Sequence, residues 1–180
     1  MKNRKRRYRN RPRINGVVLR NREGGSLLRK RSRFYPMLSE VDIVYRRPNL
    51  GRTVLITTAR DAYELLIHLF DPRKIDYKEM FYVILLNAAN VCLGYSQIGV
   101  GTTVGVAVNV REIFHLTLLT NASAVIIAHN HPSGSLKVSE PDIVLTKKVI
   151  QGCRLFDVHL LDHIVLSSDG YCSLADEGLL

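Results

Sequence analysis

Ser123-Ala-Val-Ile-Ile-Ala-His129-Asn130-His131-Pro-Ser-Gly134, followed by Ser139-Glu-Pro-Asp142, is the stretch on which the reading of this 180-residue chain turns. The apolar run from Ser123 to Ala128 reads as a buried strand. Residues i and i+2 of a strand share a face, so His129 and His131 leave its end on one side, close enough to hold a single ion. A Pro-Ser-Gly turn follows. Asp142 then enters with the first turn of a helix expected from about Glu140 to Cys153. Two nitrogen ligands and one carboxylate leave a fourth tetrahedral position for water, the layout of catalytic rather than structural zinc. Ser139 and Asp142 also have an ordinary explanation, as a helix N-cap and an acidic residue favoured by the helix dipole. That explanation does not reach the two histidines flanking one asparagine.

Working outward, length and composition suit one domain with a proper core. Apolar side chains make up 46% of the residues, and a domain of this size buries about two-thirds of its unfolded surface. No apolar run approaches the roughly 18 residues of a membrane span, and the arginine-rich start has no apolar segment behind it to make a signal peptide. Cys92, Cys153 and Cys172 are odd in number and widely spaced. They suggest neither a disulfide framework nor a Cys-x-x-Cys metal site, and they fit a reducing, cytoplasmic setting.

The remaining segments alternate strand and helix signals. Val41 to Tyr45 reads as a strand, and Val54-Leu-Ile56 as a short apolar piece. Thr58 is a candidate cap for a helix carrying Ala62, Leu65, Leu66 and Leu69, which Asp71-Pro72 ends. Glu79 opens Glu79-Met-Phe-Tyr-Val-Ile-Leu-Leu86, a β-rich run placed at the centre of the sheet. A carboxylate at the mouth of a buried strand costs stability unless it is paired or used. Asn87 to Asn90 reads as a hairpin turn into Val91 to Gly99. The glycines between Gly99 and Gly105 lack the Walker lysine pattern and a following helix, so they suggest a bulge or a close backbone approach, not a phosphate cradle. Val106 to Val108 is expected as one more strand. A helix over about 110–120 is expected to turn Ile113, Phe114, Leu118 and Leu119 to the core, and Glu112 in its first turn rivals Glu79 as a catalytic carboxylate. After the histidine loop, Val144, Leu145, Val149 and Ile150 are expected to cover a sheet face. Val158 to Leu166 and Tyr171-Cys172 complete the strands. Asp162 and His163 are adjacent, so a strand points them to opposite faces, and both are read as structural.

His129-x-His131-Pro132, then Ser139-x-x-Asp142, resembles the JAMM motif of JAB-type metalloproteins. The fuller string is His-Asn-His-Pro-Ser-Gly with Thr146, Leu161-Asp-His-Ile164 and a closing Ser173…Glu177-Gly-Leu-Leu180. It resembles the RadC branch over roughly residues 40 to 180. The resemblance implies a JAB fold, similar to that of cytidine deaminases, and amide or isopeptide cleavage with Zn²⁺ on His129, His131 and Asp142. It further implies Glu79 as general base and acid, Ser139 as a stabiliser of the oxyanion, and an association with DNA repair through the name of the branch. The helix-hairpin-helix region that often precedes this domain is not recognisable. The fold class expected is thus α/β: one three-layer domain over 39–180, with a mixed sheet and helices on both faces, behind a basic, disordered arm over 1–38.

That arm holds most of the charge. The chain carries a net +10, yet residues 1–50 hold 16 Lys or Arg against 3 acidic residues, and the other 130 hold 10 against 13. Arg4, Lys5, Arg6, Arg7, Arg9, Arg29, Lys30 and Arg31 are the candidate contacts to a nucleic-acid backbone, neutralising phosphates without reading sequence. A solvated tail that aids solubility explains them equally well. Two function classes therefore stand side by side: a zinc-dependent hydrolase acting on a peptide or protein conjugate, and a nucleic-acid-binding accessory protein or metal-dependent nuclease with the arm as its handle. The literal His-Asn-His is not an HNH nuclease signature, whose named residues are separated along a ββα unit. The His-x-Glu and Pro-Cys-x-x-Cys elements of zinc deaminases are missing.

Overall fold

The computed structural model describes residues 16–21, 39–44, 53–103 and 105–180. It divides the chain into two units, 1–47 and 48–180. In the first, β1 (Gly16–Asn21) pairs antiparallel with β2 (Ser39–Val44), from Gly16 opposite Val44 to Asn21 opposite Ser39. The expectation of a mobile arm over 1–38 falls for the rest on residues outside those described.

The second unit runs α1 (Ala59–Leu69), β3 (Met80–Leu86), β4 (Cys92–Val100), α2 (Val110–Leu119), β5 (Ala124–Asn130), α3 (Glu140–Leu155), β6 (His159–Leu166) and β7 (Tyr171–Ser173). Its five strands lie in the order β4-β3-β5-β6-β7, with β5 and β6 parallel and every other neighbour antiparallel. Every residue of β3 and β5 is buried. Strands covered on both faces can be apolar throughout, which is why their sequences show no alternation. The two-residue period still sorts their side chains. Tyr82, Ile84, Leu86, Ala124, Ile126 and Ala128 pack with Ala62 and Leu66 from α1 and with Phe70 just after it. Phe81, Val83, Leu85, Val125 and Ile127 pack with Ile113 and Phe114 from α2 and with Val149 and Cys153 from α3. The domain is therefore the expected three-layer α/β arrangement. Among the described residues no helix is long and apolar enough to cross a membrane.

Local chemistry sets the ends of the elements. Thr58 caps α1: its hydroxyl accepts from the Asp61 N–H at 3.1 Å, while the Asp61 carboxylate accepts from the Thr58 N–H at 2.9 Å. Asn87 Oδ1 accepts from the Ala89 and Val91 N–H groups and closes the β3–β4 turn.

Three local expectations are corrected. Val106 to Val108 is not a strand. Its valines pack with the Phe81 cluster, but among the described residues the segment joins no ladder. Gly101 sits so close to this segment that a Cβ there would meet the Gly105 carbonyl oxygen and the Val106 Cα. On α3 the buried stripe is Asp142, Thr146, Val149 and Cys153, and Val144 is exposed. At about 100° per residue Val144 lies across the helix from both Asp142 and Thr146, and those two face the sheet. On α2, Ile113, Phe114 and Thr117 are buried whereas Leu118 and Leu119 are exposed. Thr117 is tolerated inside because its hydroxyl donates to the Ile113 carbonyl at 2.7 Å.

Candidate metal centre

β5 delivers three consecutive polar side chains to the end of the sheet, and the strand alternation sends them to different tasks. His129 and His131 share one side, their Nε2 atoms 3.0 Å apart. The chain reverses just after them: the His131 carbonyl accepts from the Gly134 N–H at 3.0 Å, with Gly134 at φ +78°, where glycine carries no Cβ penalty. This turn places the Ser135 carbonyl 2.8 Å from His131 Nδ1. A carbonyl only accepts, so Nδ1 carries the proton and Nε2 presents its lone pair to the cleft.

Asp142 arrives from the first turn of α3. The Ser139 N–H and hydroxyl both donate to its Oδ2, at 2.8 and 2.6 Å, and the Asp142 N–H returns a bond to Ser139 Oγ at 3.3 Å. Its Oδ1 lies 3.1 Å from His129 Nε2, and its Oδ2 is 3.7 Å from His131 Nε2. Burial works to raise the Asp142 carboxyl, but the protonated form of His129 and the Ser139 hydrogen bonds outweigh it and hold the group well below the ordinary carboxylate range. One atom from each of His129, His131 and Asp142 lies within 4.8 Å of the other two. Lone pairs gathered this closely repel unless a proton or cation sits among them. Two imidazole nitrogens and a carboxylate oxygen are a donor set suited to Zn²⁺ and similar divalent ions.

Asn130, between the two histidines, points the other way and is fully buried. Its Oδ1 accepts from the Met80 N–H at 2.7 Å, and its Nδ2 donates to the carbonyls of Ile75 and Lys78. Those bonds grip the backbone on both sides of Glu79, so one strand positions the candidate ligand side chains and the carboxylate opposite them. The Glu79 backbone is held as well, its N–H donating to the Thr102 carbonyl and its carbonyl accepting from Gly101. Burial raises the Glu79 carboxyl, against the pull of His129 and His131.

A cleft of about 860 Å³ joins these groups. Glu79, His129, His131, Ser139 and Asp142 all line it, with Phe81, Val106, Val108 and Leu145 as an apolar wall. Glu112 lies in the first turn of α2, away from this lining. The eight basic residues considered for nucleic acid, from Arg4 to Arg31, lie outside the described residues.

Two participants escaped the sequence reading. Asn130 was passed over as a spacer, although strand alternation already turns it away from its neighbours. His163, read as structural, reaches His129 Nδ1 through its Nε2 at 2.9 Å. The clue was topological: the β5–α3–β6 connection makes the two strands parallel neighbours, and Ile127 pairs with His163. Burial pushes His163 down to about 3, so its ring is neutral. Asp162 is structural as expected, its carboxylate accepting from the Ser173 hydroxyl and from the His163 and Ala175 N–H groups.

Fold and site together define a class: a three-layer α/β domain with a candidate mononuclear metal centre at the end of its central strands. The family model described as the RadC-like JAB domain matches residues 56–179, and the chain belongs to that family. It is 37% identical over 126 residues to a UPF0758 protein of Coprothermobacter proteolyticus, covering 69% of this chain and 54% of that protein. A UPF0758 protein of Clostridium acetobutylicum is 35% identical over 128 residues, covering 71% and 55%. A third, from Flavobacterium johnsoniae, is 35% identical over 124 residues, covering 69% and 53%. The chain thus spans about half the length of the curated relatives it matches.

Proposed function

We propose that the domain is a metal-dependent hydrolase acting on amide or isopeptide bonds, with His129, His131 and Asp142 holding Zn²⁺. The observation that carries this reading is the convergence of three electron-pair donors beside one partly buried carboxylate in an open cleft. A Zn²⁺ ion held there would supply Lewis acidity, polarising a substrate carbonyl and lowering the pKa of water toward about 7. Glu79 moves the proton. Burial favours its neutral form and the two histidines favour its charged form, which suits a group that must accept a proton from the attacking water and return it to the departing amine. Ser139 Oγ, which donates to Asp142 Oδ2, must turn into the cleft to stabilise a developing oxyanion, and the Ser139 N–H then keeps Asp142 in place. A peptide has both the apolar side chains for the Phe81–Leu145 wall and the amide for the polar end. The test is the zinc-loaded protein against quenched amide and isopeptide libraries and a phosphodiester substrate. Chelator-sensitive amide turnover supports the reading, and phosphodiester cleavage alone overturns it.

A second reading rests on the charge asymmetry: the basic stretch binds nucleic acid by phosphate neutralisation. Nucleic-acid affinity is then expected to fall steeply, about 10³-fold or more between 50 and 200 mM salt if six or more phosphates are contacted. That dependence should vanish when residues 1–33 are removed. Affinity that survives the truncation would sink this reading.

A further inference from the structure

Behind the metal centre the hydrogen-bond donors and acceptors close into a ring. Thr146 lies one helical turn after Asp142, and its Oγ1 is 2.6 Å from the Asp142 carbonyl oxygen and 2.6 Å from His163 Nδ1. A hydroxyl has one proton and a carbonyl none, so the proton lies on the contact to Asp142, and His163 must donate from Nδ1. His163 is fully buried with no carboxylate at either ring nitrogen, so it stays neutral and has only a lone pair at Nε2, and its 2.9 Å contact obliges His129 to donate from Nδ1. His129 is left with a lone pair at Nε2, the atom that faces Asp142 and His131. Thr146 and His163 are fully buried and His129 is 1% exposed, so no water is at hand to replace a lost partner. Phe81 stacks on the His129 ring at 6.1 Å and meets the His163 ring edge-on at 5.9 Å, which limits rotation of both.

We propose that Thr146 and His163 are positioning residues that set the His129 tautomer, holding Nε2 free for a metal ion. The proposal rests on the reading of His129, His131 and Asp142 as a metal site. The ring can also run backwards. If Thr146 gave its proton to His163 Nδ1, His163 would donate from Nε2 and His129 would carry its proton on Nε2, pointing at Asp142 and blocking the ion. The Thr146 bond to the Asp142 carbonyl is what selects the open direction. Asp142 thus serves twice, with its carboxylate in the ligand group and its carbonyl as anchor of the relay.

The test compares Thr146→Val, which keeps the shape and removes the hydroxyl, with Thr146→Ser, which restores it. A second pair is His163→Leu and His163→Gln, since the glutamine amide oxygen can still accept from His129 Nδ1. Zn²⁺ and Co²⁺ dissociation constants are measured by chelator competition. The valine and leucine variants are expected to bind about 10- to 100-fold more weakly, with Ser and Gln recovering most of the loss. Histidine ¹⁵N spectra of the metal-free protein at alkaline pH should show His129 protonated at Nδ1 in the native chain, and at Nε2 in part or whole in Thr146→Val. Native-like affinity in Thr146→Val overturns the proposal. So does a serine variant as weak as valine, or a native His129 already protonated at Nε2. A native protein that takes up neither ion would defeat the metal reading itself, while the spectra of the metal-free chain still report the direction of the ring.

Discussion

Replacing Glu79 with Gln is expected to lower hydrolytic turnover by about 10²- to 10⁴-fold while leaving metal content and folding unchanged. The amide is nearly isosteric with the carboxylate and can still lie in the cleft, but it has no basic oxygen to take a proton. Metal content is expected to stay because the ligand group lies on β5 and α3 and owes nothing to Glu79. The pH profile adds a second signature. Burial raises the Glu79 carboxyl above its ordinary value, so the base form is lost as pH falls through that raised value, and activity should drop with it. An acid limb belonging to Glu79 should therefore be present in the native profile and missing in the variant. A Glu79→Gln variant with undiminished turnover would remove Glu79 from the mechanism.

Asn130→Ala is expected to cost about 3–5 kcal/mol of stability, measured by urea unfolding. The wild-type amide makes three hydrogen bonds inside the protein, to the Met80 N–H and the carbonyls of Ile75 and Lys78. Alanine strands those backbone groups where Ile75 and Met80 are buried, and each unmet buried group costs on the order of 1–3 kcal/mol. Asn130→Asp separates the two halves of the amide's work. It can still accept from Met80 but turns a carboxylate oxygen on two carbonyls, so it should be no better than alanine. A loss below about 1 kcal/mol for Asn130→Ala would mean that the segment before β3 is held by other bonds, and the coupling between Glu79 and the histidine strand would fall.

The chemistry of this protein was more legible in its sequence than its packing was. His129, His131 and Asp142 could be brought together from two local facts, strand alternation and a capped helix start, because each depends on residues close in the chain. The same holds for Thr58, for the Asn87 turn and for the apolar runs of β3 and β5. On α2 and α3, Ile113, Phe114 and Val149 are buried as expected, but apolar residues were also assumed to fill the remaining places facing the sheet. Thr117, Asp142 and Thr146 take those places instead, each with its polar atoms satisfied, and Val144, Leu118 and Leu119 are turned outward. Val106 to Val108 had the composition of a strand, but its valines pack with the Phe81 cluster, whose other members lie far from it in the chain. His163 was hidden for the same reason: its value to His129 exists only once β5 and β6 lie side by side.

The central claim is that His129, His131 and Asp142 form a metal site, and elemental mass spectrometry of the purified, untagged protein tests it most directly. About one zinc per chain is expected in the native protein and none in His129→Ala, with the variant still folded by circular dichroism. A native protein that carries no metal even after zinc is supplied, or a His129→Ala protein that keeps it, would contradict the account.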